Sequence, residues 1–220
     1  MPKKNSKPRN WRKAVRKTMK KATEKEALER YGTKTPPFNY RWEHVTAVVT
    51  LAIKLAELTG ADREVVEAAA WLHDVRKDAN GDHAKEGAKY ARTFLRKTDF
   101  PPEKIYAVSR AIAAHMGLWR GKPFPSKPLK NLESAVLWDA DKLAKIGLTA
   151  AFHWLGQSFA KGMPQETRDF IENGRKAEWQ AKTVASMHTE PARRAALARF
   201  DAYNHLWNTL EAELNGNDLV

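Results

Sequence analysis

Apolar residues recur at intervals of three and four along most of this chain and nowhere alternate convincingly with polar ones, so the pattern predicts an all-α fold. A first helix spans Trp11 to Tyr31 on a thin stripe of Trp11, Val15, Met19, Ala22 and Ala27. Gly32 to Asn39, with Pro36 and Pro37, reads as a linker. From Trp42 to Leu58 a stronger helix turns Val45, Val48, Val49, Ala52, Ile53 and Leu55 to one side, and Gly60 ends it. Asp62 is placed to cap the next helix, which carries Val65, Val66, Ala69 and Leu72 inward and finishes at His73-Asp74. After a turn from Asp78 to Asp82, a third core helix runs from His83 to about Lys97 on Ala84, Ala88, Ala91 and Leu95. Pro101-Pro102-Glu103 opens another, with Ile105, Val108 and Ile112 at helical spacing and its end near His115.

Gly117 to Lys130 is rich in Gly and Pro and reads as an ordered loop or lid, in which Trp119 or Phe124 is available to stack on a base. Asn131 caps a helix that continues to Ile146 and stops at Gly147. Leu148 to Phe159 is apolar and aromatic, and Trp154, Phe159 and Trp179 are expected in the core. Two further helices, about Gln165 to Met187 and Pro191 to Leu214, complete the pattern. The division this suggests is a basic segment with its linker over 1–39 and a helical bundle over 40–220.

Composition narrows the chemistry. The chain has no cysteine, which excludes disulfides, thiolate metal sites and a cysteine nucleophile. No apolar run approaches the length of a membrane span, and the basic start lacks the apolar core of a secretory signal, so a cytoplasmic protein with no membrane partner is expected. The net charge is +13, and the first thirty residues, with twelve Lys or Arg against three Glu, hold most of it. That segment either docks on the bundle through Trp11 and Met19 or offers residues 1–30 to nucleic acid or another polyanion.

The adjacent His73 and Asp74 change the picture most. An ionisable pair at the end of an apolar helix is costly to bury, and a bound cation is the usual compensation. Imidazole and carboxylate together suit a divalent ion such as Mn, Fe, Ni, Mg or Zn, and His44, His83, His115, Asp139 and Asp141 supply enough donors for one ion or two. A water on such an ion becomes acidic enough to attack phosphorus near neutral pH.

The order His44, His73-Asp74, Asp141 resembles the HD-domain superfamily of metal-dependent phosphohydrolases. Arg41-Trp42-Glu43-His44 is similar to the Arg-x-x-His entry of its stand-alone members, and Leu72-His73-Asp74-Val75-Arg76-Lys77 to its Leu-His-Asp-Ile-Gly-Lys signature, with Arg76 in place of the glycine. His83-Ala84-Lys85-Glu86-Gly87-Ala88, Ala113-Ala114-His115 and Asp139-Ala140-Asp141-Lys142-Leu143 resemble three further elements in the family's order, and Met187-His188-Thr189-Glu190-Pro191-Ala192-Arg193-Arg194 is similar to the start of the last helix in one bacterial subgroup. The resemblance implies an HD-type helical bundle with an N-terminal basic helix and a C-terminal helical extension. It implies metal binding by His44, His73, Asp74 and Asp141, with Asp139 as the alternative to Asp141. Asp74, Lys77, His83 and His115 would be catalytic, and Arg41, Lys77, His115 and Lys142 would contact a small phosphorylated substrate, most naturally a nucleotide. His153, His188 and His205 read as structural.

Overall fold

The structure, a computed structural model, describes residues 9–78, 81–121, 127–162, 166–176 and 178–219. Among these, ten α-helices and one 3-10 turn form and no strand does, as the periodicity requires. The helices are α1 (Trp11–Tyr31), α2 (Tyr40–Thr59), α3 (Arg63–Leu72), α4 (His83–Leu95), α5 (Ile105–Ala113), α6 (Leu132–Leu143), α7 (Leu148–Ala160), α8 (Thr167–Arg175), α9 (Glu178–Ala185) and α10 (Glu190–Asn215). Local chemistry sets many of the ends. Asn10, Asn39, Asp62, Asp82 and Asn131 each accept a backbone N–H from the first turn of α1, α2, α3, α4 and α6, supplying a partner to donors the helix itself leaves unpaired.

One core joins most of the chain. α2 lies against α3 and α6, α5 against α3, α4 and α6, and α10 returns across α6 to α9. Trp11, Val15 and Met19 of α1 are buried in this same core, Trp11 edge-on to Phe100 at 5.0 Å. A smaller cluster of Ala151, Ile171, Tyr203 and Trp207 ties α7, α8 and α10 together. None of the described helices is long and apolar enough to cross a membrane.

Three expectations need correction. The segment from 165 to 187 is not one helix: α8 ends at Arg175 and α9 begins at Glu178. Each half buries a different face. Ile171 and Gly174 face Trp207, so closely that a Cβ on Gly174 would stand 2.3 Å from that ring, whereas Val184 joins the main core. The helix begun by Asn131 ends at Leu143, short of Ile146. Phe159 is 68% exposed rather than buried, with its ring set against Phe170 of α8 at 6.3 Å. Phe124 and the expected helix start at Gln165 lie outside the described residues.

Candidate metal centre

Four core elements converge on one buried polar cluster. α2 supplies His44, and the turn after α3 supplies His73 and Asp74. His115 follows α5, and Asp141 comes from α6. All five are essentially without solvent exposure. His83, the first residue of α4, and Lys77 complete the cluster from its open side.

Two groups of donor atoms able to hold a metal ion result: His44, His73 and Asp141, and Asp74, His83 and His115. Asp74 joins them. Its Oδ2 lies 3.6 Å from His73 Nε2 and 3.9 Å from His44 Nε2, while its Oδ1 lies 3.5 Å from His83 Nε2 and 3.6 Å from His115 Nε2. In the first group, Asp141 Oδ1 is 3.1 Å from His44 Nε2 and 3.9 Å from His73 Nε2.

The rings are set up as ligands. His73 Nδ1 donates to the Ala70 carbonyl at 2.8 Å and His115 Nδ1 to the Ile112 carbonyl at 2.6 Å, which leaves each Nε2 with its lone pair toward the carboxylates. The buried Nε2 atoms of His44 and His73 have no hydrogen-bond partner; the close approach of His44 to Asp141 is not aligned for one. Unsatisfied buried nitrogens cost about 1–3 kcal/mol each, and a cation between them and the carboxylates removes that cost. Burial, reinforced by Lys145, pushes His44 down to about 4, and burial pushes His73 down to about 3. Burial together with Lys77 takes His83 to about 4. All three are neutral at physiological pH, the form that binds metal. The donor set therefore fits a divalent cation.

The carboxylates stay ionised for the opposite reason. Burial pushes Asp74 up, but the positive charges beside it, Arg41 and Lys77 among them, outweigh it and hold the group well below the usual range. Asp141 is likewise held low against burial by Lys142 and Lys145.

The remaining expected residues sit behind or beside the donors. Lys77 Nζ is 3.6 Å from Asp74 Oδ1 and 3.0 Å from His83 Nε2, with its side chain 36% exposed. Arg41 is buried and committed, its guanidinium bonded to Asp74 Oδ2 and, at 2.8 Å, to Glu26 of α1. Lys142 is buried too, donating to Asp141 and at 3.1 Å to the His115 carbonyl, and burial lowers its pKa to about 8. Asp139 and Asp141 point to different neighbours. Asp139 turns away from the cluster and accepts from the backbone N–H of His188 at 2.9 Å and of Thr189 at 2.7 Å, ahead of α10.

Two neighbours escaped the sequence reading. Lys145 donates to Asp141 Oδ1 at 2.6 Å, a contact its position one helical turn later would have suggested. Glu26 carries no comparable signal, since it reaches Arg41 only because α1 folds onto the core. Beside Asp141 opens a cleft of about 270 Å³ lined by Tyr40, Lys145, His153, Trp154, Gln157 and Trp179, among others. His153 thus stands in a cavity wall, edge-on to Tyr40. Trp119 carries Lys182 over its ring at 5.6 Å.

The fold is similar to that of several known proteins. The chain resembles an HD-superfamily hydrolase from Bacillus thuringiensis with 24% identity and a TM-score of 0.63, covering 94% of this chain and 99% of that one. A predicted HD superfamily hydrolase from an uncultured Thermotogales bacterium gives 22% identity and a TM-score of 0.61, with 92% of each chain covered. Bacillus subtilis YpgQ in complex with ADP gives 20% identity and a TM-score of 0.60, over 90% of this chain and 98% of that one. At such identities the likeness is one of fold. The HD domain profile matches residues 41–146, which span α2 to α6 and contain every donor of both groups. Residues 41–146, which hold the His/Asp cluster, thus match the HD domain family, and the fold around them is similar to that of HD-superfamily hydrolases.

Proposed function

We propose that the protein is a divalent-metal-dependent phosphohydrolase acting on a nucleotide. The observation that carries this reading is the convergence of the buried His44, His73 and His115 and two ionised carboxylates on one site, with the Nε2 atoms of His44 and His73 left without a hydrogen-bond partner. His44, His73 and Asp141 would hold one ion, Asp74 would be shared, and His83 and His115 offer places for a second. A divalent cation there supplies an acidic water and positive charge for phosphoryl oxygens. Lys77, half-exposed at the open side, is placed to meet a substrate phosphate; Arg41 and Lys142 are spent on Asp74 and Asp141 and act by orienting these carboxylates. His83 and His115 flank Asp74 where a proton must be handed on. The likeness to an ADP complex supports a nucleotide over other phosphoesters.

Metal analysis of the purified protein beside a His73→Ala/Asp74→Ala variant tests this. One or two transition-metal ions per chain, lost in the variant, together with nucleotide turnover under Mn or Fe, is the expected result. A wild-type protein that takes up no metal under any of these conditions refutes it.

The outward face of α1 favours a second, additional contact. Lys13, Arg16, Lys17, Lys20 and Lys21 are exposed and form no ion pair among the described residues, so the helix presents a row of free cations suited to a nucleic-acid backbone. Because the other face of α1 is core, charge reversal of Lys13, Lys17 and Lys20, rather than deletion, is the proper test. Loss of salt-dependent RNA or DNA retention with unchanged turnover supports it, and unchanged retention sinks it.

A further inference from the structure

The cleft beside Asp141 has a chemically mixed lining. Its inner wall is Lys145, whose Nζ touches Asp141, and Tyr40, which stacks on His44 at 5.8 Å with the rings 13° from parallel. The cleft therefore adjoins the first donor group with a single layer of side chains between. The rest of the lining is largely aromatic: Trp154 and Trp179 contribute to it, and His153 and Gln157 bring polar side chains to its wall. Ala150 and both tryptophans also line a second cavity of about 440 Å³, together with Asn173, Gln180 and Tyr203. A wholly apolar occupant, such as a lipid chain or a hydrophobic peptide, leaves Lys145, His153 and Gln157 without use. An anion alone leaves the tryptophans without use. The lining fits a molecule with a flat, hydrogen-bonding ring at one end and a phosphate at the other.

We propose that this cleft seats the nucleobase of the substrate, with the phosphate directed past Lys145 to the metal centre. The proposal rests on the phosphohydrolase reading and makes the ring, and not the phosphate alone, a determinant of binding. Gln157 offers both a donor and an acceptor to a base edge, while Trp154 and Trp179 supply ring faces. Base–aromatic stacking of ordinary strength corresponds to about tenfold or more in affinity.

Trp154 also meets Phe170 at 5.4 Å and Trp207 at 6.2 Å, so truncating it loosens the smaller core cluster as well. A variant that fills the cleft avoids this: Ala150 lines both cavities, and Ala150→Leu adds bulk without removing a contact. The experiment compares ADP with inorganic pyrophosphate, which has the phosphates and no ring, by equilibrium binding and by KM, in the metal-loaded protein. Ala150→Leu should weaken ADP about tenfold and leave pyrophosphate roughly unchanged; Trp154→Ala should do the same, and Trp154→Phe should recover most of the loss. Equal effects on the two ligands, or no effect on either, overturn the cleft assignment. A wild-type protein that binds metal and cleaves pyrophosphate as readily as ADP also overturns it, while leaving the phosphohydrolase reading intact. If instead no metal binds and nothing is cleaved, that reading fails, and adenosine alone, followed by tryptophan quenching, decides the cleft: quenching that Ala150→Leu abolishes keeps it, and its absence removes it.

Discussion

The two most buried histidines make stability depend on pH in a window where few other groups titrate. His44 and His73 have an ordinary value of 6.5 and are held at about 4 and about 3 in the fold. Between those values the unfolded chain binds a proton at each and the folded chain does not, so lowering the pH favours unfolding. The sign is that of a depressed pKa: the full stability is present above 6.5 and drains away as pH falls toward 4. From pH 7.5 to about pH 5 each ring costs roughly 2 kcal/mol, or about 4 kcal/mol together. His83 and His153, closer to solvent, are shifted in the same direction and add to the slope. Against a typical domain stability of about 5–15 kcal/mol, this is a Tm drop on the order of 10 °C. The assay is thermal unfolding from pH 7.5 to 5 in EDTA, which removes metal linkage, with His44→Gln alongside. The variant should show about half of the drop assigned to the pair. A flat Tm across the window, or a His44→Gln variant with the full wild-type slope, refutes the claim that these rings are buried neutral.

Three further outcomes follow from the geometry. Asp139→Ala should destabilise the protein by about 2–4 kcal/mol in a denaturant titration, because His188 and Thr189 lose a buried acceptor, yet keep its metal; Asp141→Ala should lose the metal. A Cβ at Gly87 would meet the His73 carbonyl oxygen at 3.2 Å, so Gly87→Ala should change stability by less than about 1 kcal/mol, the helix-propensity gain offsetting the crowding, while lowering metal affinity measured by chelator competition. Glu26→Gln should weaken metal binding about tenfold by leaving Arg41 an uncompensated cation beside Asp74, and the effect should vanish in an Arg41→Gln background.

The parts of this structure that were legible in the sequence are those governed by neighbours along the chain. α1 runs from Trp11 to Tyr31 as its pattern predicts, because Asn10 caps it and Gly32 ends it, and Trp11 and Met19 are buried as their spacing on one face requires. His44, His73 and Asp74, expected as donors, stand at or near helix ends, and the bundle brings them together. What the sequence left open depends on partners distant in the chain. Asp139 and Asp141 lie two positions apart on one helix, and nothing local tells which faces the histidines; the approach of His188 and Thr189 to Asp139 decides it. The break between α8 and α9 was hidden for the same reason, since Gly174 inside a helical pattern is informative only once Trp207 is known to lie against it. Charge compensation was the least legible of all. Lys77 and Lys142 look alike as lysines following an aspartate, yet one reaches solvent and the other is sealed between Asp141 and a backbone carbonyl. Glu26 looks like any surface glutamate of a basic helix until α1 folds down and gives it Arg41. The residues that gather in the cluster could be named from the chain, whereas the charges that hold each carboxylate ionised are set by how the helices meet. Those charges include one reached from the N-terminal helix, outside the matched HD segment: Glu26 pairs with Arg41, which in turn pairs with Asp74.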